Sequence, residues 1–333
     1  MYPALFPLTT KAEWIRFMKD GYVLSEDEKF TAEILIGKKV IPIVQGHFLA
    51  DFLGVSRKLI THMAMCPDRY YRTFTIPKKS GGSRSITAPR VFLKVVQRYV
   101  LDCVLSQIPV SRSAVGFVKG RGCRYGAKRH VKHRYLWNID LKDFFPSVRF
   151  EQVEAIFTEI GFMAPAARFL SRLCCLDEKL PQGAPTSPAI SNLVFLKLDQ
   201  LLAEKTKKLK ITYSRYADDL SFSGNLPIPS TFRNDVQTLL ERHGFRINRQ
   251  KERLIGPKAR REVTGLTVNE KVSVPRKRRR EVRAYFHRVG LMPHNFTAEK
   301  AKAIGLAAWI IGYHPNEGRR YMEVARSIPD SEE

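Results

Sequence analysis

Tyr213-Ser-Arg-Tyr-Ala-Asp-Asp-Leu-Ser-Phe-Ser-Gly224 places two adjacent carboxylates, Asp218 and Asp219, between two runs that alternate apolar and polar residues. Ile211, Tyr213 and Arg215 fall on one face of the first run, and Leu220 and Phe222 share one face of the second. A period of two is the signature of strands. The stretch therefore predicts a β-hairpin with the Asp pair at its tip. Like charges held so close repel unless a cation neutralises them. Most Asp-Asp pairs are ordinary solvated turns, and a third carboxylate in a matching setting is what changes the reading here.

That third group is Asp140, in Tyr135-Leu-Trp-Asn-Ile-Asp-Leu-Lys-Asp-Phe-Phe-Pro-Ser147. Leu136, Asn138 and Asp140 alternate with Trp137, Ile139 and Leu141, so the segment predicts a strand ending in a carboxylate. Acidic residues are depleted in strands, and one on a mostly apolar strand needs a partner. Hard divalent cations such as Mg²⁺ bind carboxylate oxygens and keep positions open for phosphates. Two such ions about 3.5–4 Å apart can clamp the attacking and leaving oxygens of a phosphoryl displacement. Asp143, just beyond, reads as a solvated or capping residue.

Four blocks now stand in order: NIDLKDFFPS (138–147), LPQGAPTSPAISN (180–192), YSRYADDLSFSG (213–224) and VTGL (263–266). Together they resemble the signature blocks of reverse transcriptases, and the compact length resembles the bacterial retron enzymes in particular. The resemblance spans roughly residues 70–290. One position departs from it: retron enzymes usually carry Asn-Ala-x-x-His before the first acidic residue, and this chain has Gly126-Ala-Lys-Arg-His130.

The resemblance implies an α+β right-hand polymerase of fingers, palm and thumb with an RRM-like palm sheet. It implies an RNA-directed DNA polymerase whose Asp140, Asp218 and Asp219 bind two Mg²⁺ ions. Phe145 matches the ring that lies under the incoming sugar, Gln182 a residue lining the nucleotide pocket, and Lys251 the group proposed to protonate the leaving pyrophosphate. Lys78 or Lys79, with Arg84, matches the residues that hold the dNTP triphosphate. The implied partners are a dedicated structured noncoding RNA serving as primer and template, its cDNA and a separately encoded antiphage effector. Synthesis would start from an internal guanosine 2′-hydroxyl and leave branched RNA–DNA. An intron-encoded or diversity-generating reverse transcriptase is the related alternative, and a noncatalytic RNA-binding scaffold the distant one.

Composition agrees. The 333 residues carry a formal net charge of +25 with 44% hydrophobic residues, so a basic folded protein meets a polyanion. Nucleic acid fits better than membrane, for no amphipathic anchor or lipidation signal is apparent. Five cysteines without C-x-x-C spacing read as reduced residues of a cytoplasmic protein, not as a zinc site. The first residues lack a secretory pattern, and the longest apolar run is too short to span a bilayer.

The blocks sit in a predicted order of elements. Residues 1–70 read as a helical N-terminal extension, with a helix over Phe48, Leu49, Phe52 and Leu53 ending near Gly54 and another resuming after Val55. Residues 71–90 read as a hairpin whose glycine turn carries Lys78 and Lys79. A helix over 92–105, a glycine-rich basic loop at 115–124 suited to template phosphates, and a helix with Val153, Ile156, Phe157 and Ile160 buried come next. Ser187-Pro188 reads as a helix cap followed by proline, leading into one helix through Ile190, Leu193, Val194, Leu198 and Leu201. Another helix covers residues 232–245, a return to the sheet follows up to Lys251, and residues 263–269 read as one strand. Residues 71–270 thus form the expected fingers and palm, and 271–333 a basic helical thumb. Between positions 275 and 288 seven Lys or Arg face one Glu. Val282, Tyr285, Phe286 and Val289 lie beneath them at helical spacing. Arg276, Lys277, Arg278, Arg279, Arg280 and Arg283 are therefore expected to track a duplex backbone.

Overall fold

The structure, a computed structural model, describes residues 22–77 and 81–330. Among the described residues three helices come first: α1 (Glu26–Gly37), α2 (Gly46–Leu53) and α3 (Arg57–Met65). Ser25 caps α1 with a complete capping box, and Gly54 ends α2 in the left-handed region at φ 63°, a conformation glycine reaches without strain. Strands β1 (Tyr71–Pro77) and β2 (Ser83–Pro89) pair antiparallel as expected. The expected tip residues Lys78 and Lys79 lie outside the described residues.

Helices α4 (Val91–Cys103) and α5 (Cys123–Lys128) lead to β3 (Tyr135–Lys142). After α6 (Phe150–Ile160) and α7 (Ala164–Cys174) come α8 (Ser187–Val194) and α9 (Leu196–Lys208). The single helix expected here is thus interrupted at Phe195, and Leu201 points outward at 40% exposure. Nor does Ser187 cap: its hydroxyl donates to the Pro181 carbonyl at 2.8 Å, closing the turn before α8.

Strands β4 (Thr212–Tyr216) and β5 (Asp219–Gly224) form the expected hairpin, followed by α10 (Ser230–Arg242), β6 (Arg246–Ile247) and β7 (Arg253–Ile255). The central sheet runs β4-β5-β3-β6, with β7 also on β3, and every pairing is antiparallel. Register puts Trp137 opposite Phe222 and Ile139 opposite Leu220, so these residues share one face and pack against the helices. Leu136, Asn138 and Asp140 point to the other face, where they meet Ser223, Ser221 and Asp219.

The expected strand at 263–269 is instead a small hairpin, β8 (Glu262–Val263) and β9 (Leu266–Thr267). Thr264 at φ 49° and Gly265 at φ 75° make its turn, a pair of positive φ values that suits a tight hairpin. The chain closes with α11 (Arg276–Leu291), α12 (Lys300–Ile311) and α13 (Pro315–Arg326). Their apolar faces form a core of their own around Val282, Phe286, Ala307 and Ile310. The main core, by contrast, joins Leu49 and Met63 of the first helices to Trp137, Phe157 and Phe222. Among the described residues no helix is long and apolar enough to cross a membrane, and all five cysteines are unpaired.

Candidate active site

The β4–β5 hairpin turns through Ala217 and Asp218, with Tyr216 opposite Asp219. Ala217 has φ 55°, a conformation that strains any residue with a Cβ. The turn is held from several sides. The Leu141 N–H donates to the Asp218 carbonyl at 3.0 Å, and a Cβ added to Gly116 would come 2.8 Å from the Ala217 nitrogen. Gly116 is therefore glycine because backbone meets backbone there.

Beneath the turn lies a network that sequence reasoning did not foresee. Arg215, fully buried, grips Asp199 of α9 through Nε at 3.0 Å and Nη2 at 2.8 Å. Its Nη1 reaches Asn192 Oδ1 at 3.0 Å and the Ala217 carbonyl at 3.3 Å. Tyr213 donates to the same Asp199 at 2.7 Å, and the guanidinium lies 4.3 Å from the Phe195 ring centroid. The only hint in the sequence was a charged residue on the apolar face of a strand.

On the opposite face Asp140 stands directly across from Asp219 in register. Lys251 Nζ donates to both Asp140 oxygens, at 2.9 and 2.8 Å, and Asn248 donates to the Asp140 carbonyl through its backbone at 2.7 Å. Burial, then the Asp140 charge, raises the Asp218 carboxyl above the ordinary range, while Lys251 and Arg84 pull the other way. Burial, then Asp218 and Asp140, pushes Asp219 up to about 6. These are carboxylates kept together against their own repulsion.

Among the described residues no group of three or more His, Cys, Asp or Glu side chains already closes around one point; Asp140 instead holds the Lys251 ammonium. The donor set nevertheless fits a hard divalent cation. It is all carboxylate oxygen, mutually repelling and partly buried, and a cation already sits against Asp140.

Other expected residues fall around these acids. Arg84 is exposed on β2, opposite Ile76, and its charge is felt at Asp218. The Gln182 carbonyl accepts from the Thr87 N–H at 2.8 Å, tying the Pro-Gln-Gly turn to the β1–β2 hairpin. Gly183 adopts φ 137° there, and a Cβ on it would meet the Thr87 carbonyl at 2.8 Å. Phe145 is half-buried, 5.4 Å from Phe144 and 6.4 Å from Phe117 between ring centroids. Asp143 is exposed at φ 48°, its carbonyl accepting from Ser147.

In the basic loop, Arg121 is not turned to a ligand but donates to the Ser111 and Ala114 carbonyls at 2.7 and 2.8 Å. His130 is buried between Ser223 and Ser214 at 2.6 and 2.7 Å. Gly126 fits where a Cβ would press Val115 at 2.9 Å. On α11, Arg276, Lys277, Arg278, Arg280 and Arg283 are exposed. Arg279 is half-buried and bound to Glu317 at 2.5 Å, with Arg283 at 3.8 Å from the same carboxylate and Arg278 bound to Glu281 at 3.0 Å.

A strand-end carboxylate thus faces a hairpin-borne acid pair across β3 and β5. Residues 76–268 match the family described as Reverse transcriptase (RNA-dependent DNA polymerase), and the chain belongs to it. It is 37% identical over 298 residues to the retron Mx65 reverse transcriptase of Myxococcus xanthus, with 82% of this chain and 69% of that protein covered. It is 34% identical to the retron Mx162 enzyme of the same organism, covering 82% of this chain and 65% of that one. To the retron Ec86 reverse transcriptase of Escherichia coli it is 32% identical, covering 81% and 84%. Within the family it is thus a retron reverse transcriptase, an RNA-directed DNA polymerase, and the expectation from its motifs holds.

Proposed function

We propose that Asp140, Asp218 and Asp219 hold two Mg²⁺ ions and that the chain copies a dedicated structured noncoding RNA. The observation that carries the reading is the facing of Asp140 and Asp219 across β3 and β5, with Lys251 on Asp140 at 2.8 and 2.9 Å. Bound there, such ions would acidify the priming hydroxyl and neutralise charge on the triphosphate and departing pyrophosphate.

The protein's own residues do the rest. Lys251, 56% exposed along its side chain, carries an ammonium that can give up a proton to the leaving phosphate. Arg84 offers a fork suited to phosphate oxygens, and Lys78 or Lys79 shares that role, as the resemblance implies. Phe145 supplies bulk under the sugar, excluding a 2′-hydroxyl, and Gln182 lines the pocket. Residues 71–270 act as fingers and palm, 271–333 as a thumb tracking the duplex through its exposed cations, and 1–70 as an extension. Synthesis starts from an internal guanosine 2′-hydroxyl, giving branched RNA–DNA that works with a separately encoded antiphage effector. The resemblance to retron enzymes supports these last roles.

Asp218→Asn tests the site. Mg²⁺-dependent cDNA synthesis should fall by at least about 10³-fold, since metal assistance supplies several kcal/mol and each 1.4 kcal/mol is tenfold. RNA affinity should stay within a few-fold, because it comes from distributed phosphate contacts. Robust extension by this variant would refute the assignment.

A further inference from the structure

Phe117 carries two costs at once. It is a large apolar side chain left 52% exposed, and its backbone sits at φ 60°, where any residue with a Cβ is strained. Glycine would adopt that conformation freely, and the surrounding loop already uses Gly116, Gly120 and Gly122.

The loop that presents the ring is not slack. The Val115 N–H donates to the Arg215 carbonyl at 2.8 Å, and the Gly116 carbonyl accepts from Asn192 Nδ2 at 3.0 Å. Gly116 lies against the Ala217 backbone, as described, and Arg121 closes the loop from behind. Phe117 is therefore fixed to the hairpin that carries the acids. Its ring centroid lies 6.1 Å from Tyr216 and 6.4 Å from Phe145, tilted 42° and 47° to them. Tyr216 directly faces Asp219 in the strand register, so whatever rests on these rings lies beside the reacting atoms.

We infer that Phe117 is a binding residue for the terminal primer–template base pair, its ring completing an aromatic floor with Phe145 and Tyr216. The inference rests on the polymerase centre proposed above and adds a residue to it. A base pair presents apolar faces and sugar edges that suit such a floor regardless of sequence. A strained, exposed ring is retained where its contact with substrate offsets what it costs the free protein.

The test compares Phe117→Gly with the parent on primed RNA template, together with Phe117→Trp. The glycine variant relieves the backbone, so its unfolding temperature should hold or rise. Its kcat/KM for primer–template should fall on the order of tenfold, as expected for removing one aromatic ring from under a base. Phe117→Trp should recover most of that efficiency. With an abasic nucleotide at the template end, the parent and Phe117→Gly should extend equally well. A glycine variant that unfolds earlier would make the ring structural and overturn the inference. Unchanged kcat/KM, or the same deficit on intact and abasic ends, would overturn it too. The polymerase centre fails separately, through extension by Asp218→Asn.

Discussion

Two acid–base pairs flank the same hairpin on opposite faces of the sheet. Asp199–Arg215 is fully buried, held by two direct bonds and braced by Tyr213, Asn192 and the Ala217 carbonyl. Asp140–Lys251 also has two bonds, yet its lysine is 56% exposed and its carboxylate faces two further acids whose acidity it weakens. In the first pair every charge has its partner inside the fold. In the second, negative charge outnumbers positive, which leaves room for a cationic ligand. A buried ion pair fixes geometry; an under-compensated one marks where chemistry enters.

The sharpest way to break the comparison is to remove each cation in turn. Arg215→Ala should destabilise the protein by about 3–5 kcal/mol, because Asp199 is left buried and uncompensated; denaturant unfolding reads this directly. Lys251→Ala should cost clearly less stability than Arg215→Ala, because the lysine side chain is 56% exposed and solvent already screens much of its charge, although Asp140 itself is only 11% exposed. Its cDNA synthesis should nevertheless fall by about 10²-fold, the lower range for losing a general acid. Similar stability losses in both variants would erase the distinction.

A smaller effect tests the polar face behind the acids. Burial, with the charges of Arg129 and His133 adding to it, holds His130 neutral with its pKa lowered to about 3. Unfolding returns it to an ordinary value near 6.5. The unfolded chain therefore binds a proton that the folded chain refuses. The stability this neutral imidazole brings is complete above about pH 6.5 and declines as pH falls toward 3. Between pH 7.5 and 5.0 the native protein should lose about 2 kcal/mol more than His130→Leu. Equal losses would contradict the buried neutral assignment.

The smallest effect concerns α11. Replacing Arg276, Lys277 and Arg280 with Gln should lower the log–log salt slope of RNA binding by about 0.7–0.9 for each phosphate that is no longer neutralised. Arg279→Gln, which breaks the bond to Glu317, should cost stability and leave the slope nearly unchanged. An unaltered slope in the triple variant would leave that helix face to solvent alone.

Much of this was legible in the chain. Alternation at 135–142 and 212–224 predicted the strands, and three acids in two such settings predicted where they meet, because a period of two fixes which side chains share a face. What escaped depended on long-range partners or on φ. Arg215 looked like any strand residue until α9 supplied Asp199, 16 positions away. The strain at Phe117 and the Thr264–Gly265 turn are backbone facts that composition does not encode. Arg279 resembled its exposed neighbours, and only the packing of α13 against α11 brought Glu317 to it. Ser187 had the sequence of a cap, but the Pro181 carbonyl took its hydroxyl.

One paired measurement reaches the central claim that the hairpin divides catalysis from support. Asp219→Asn and Asp199→Asn each remove one carboxylate charge, the first from the exposed tip of the hairpin and the second from the fully buried pair on the opposite face, and each variant is assayed for both thermal unfolding and Mg²⁺-dependent extension. Asp219→Asn should hold or gain stability, since it relieves repulsion from Asp218 and Asp140, while extension drops to background. Asp199→Asn should lower the unfolding temperature by several degrees, leaving Arg215 buried without its counter-charge. A stable Asp199→Asn, or an Asp219→Asn that still extends primers, would contradict the account.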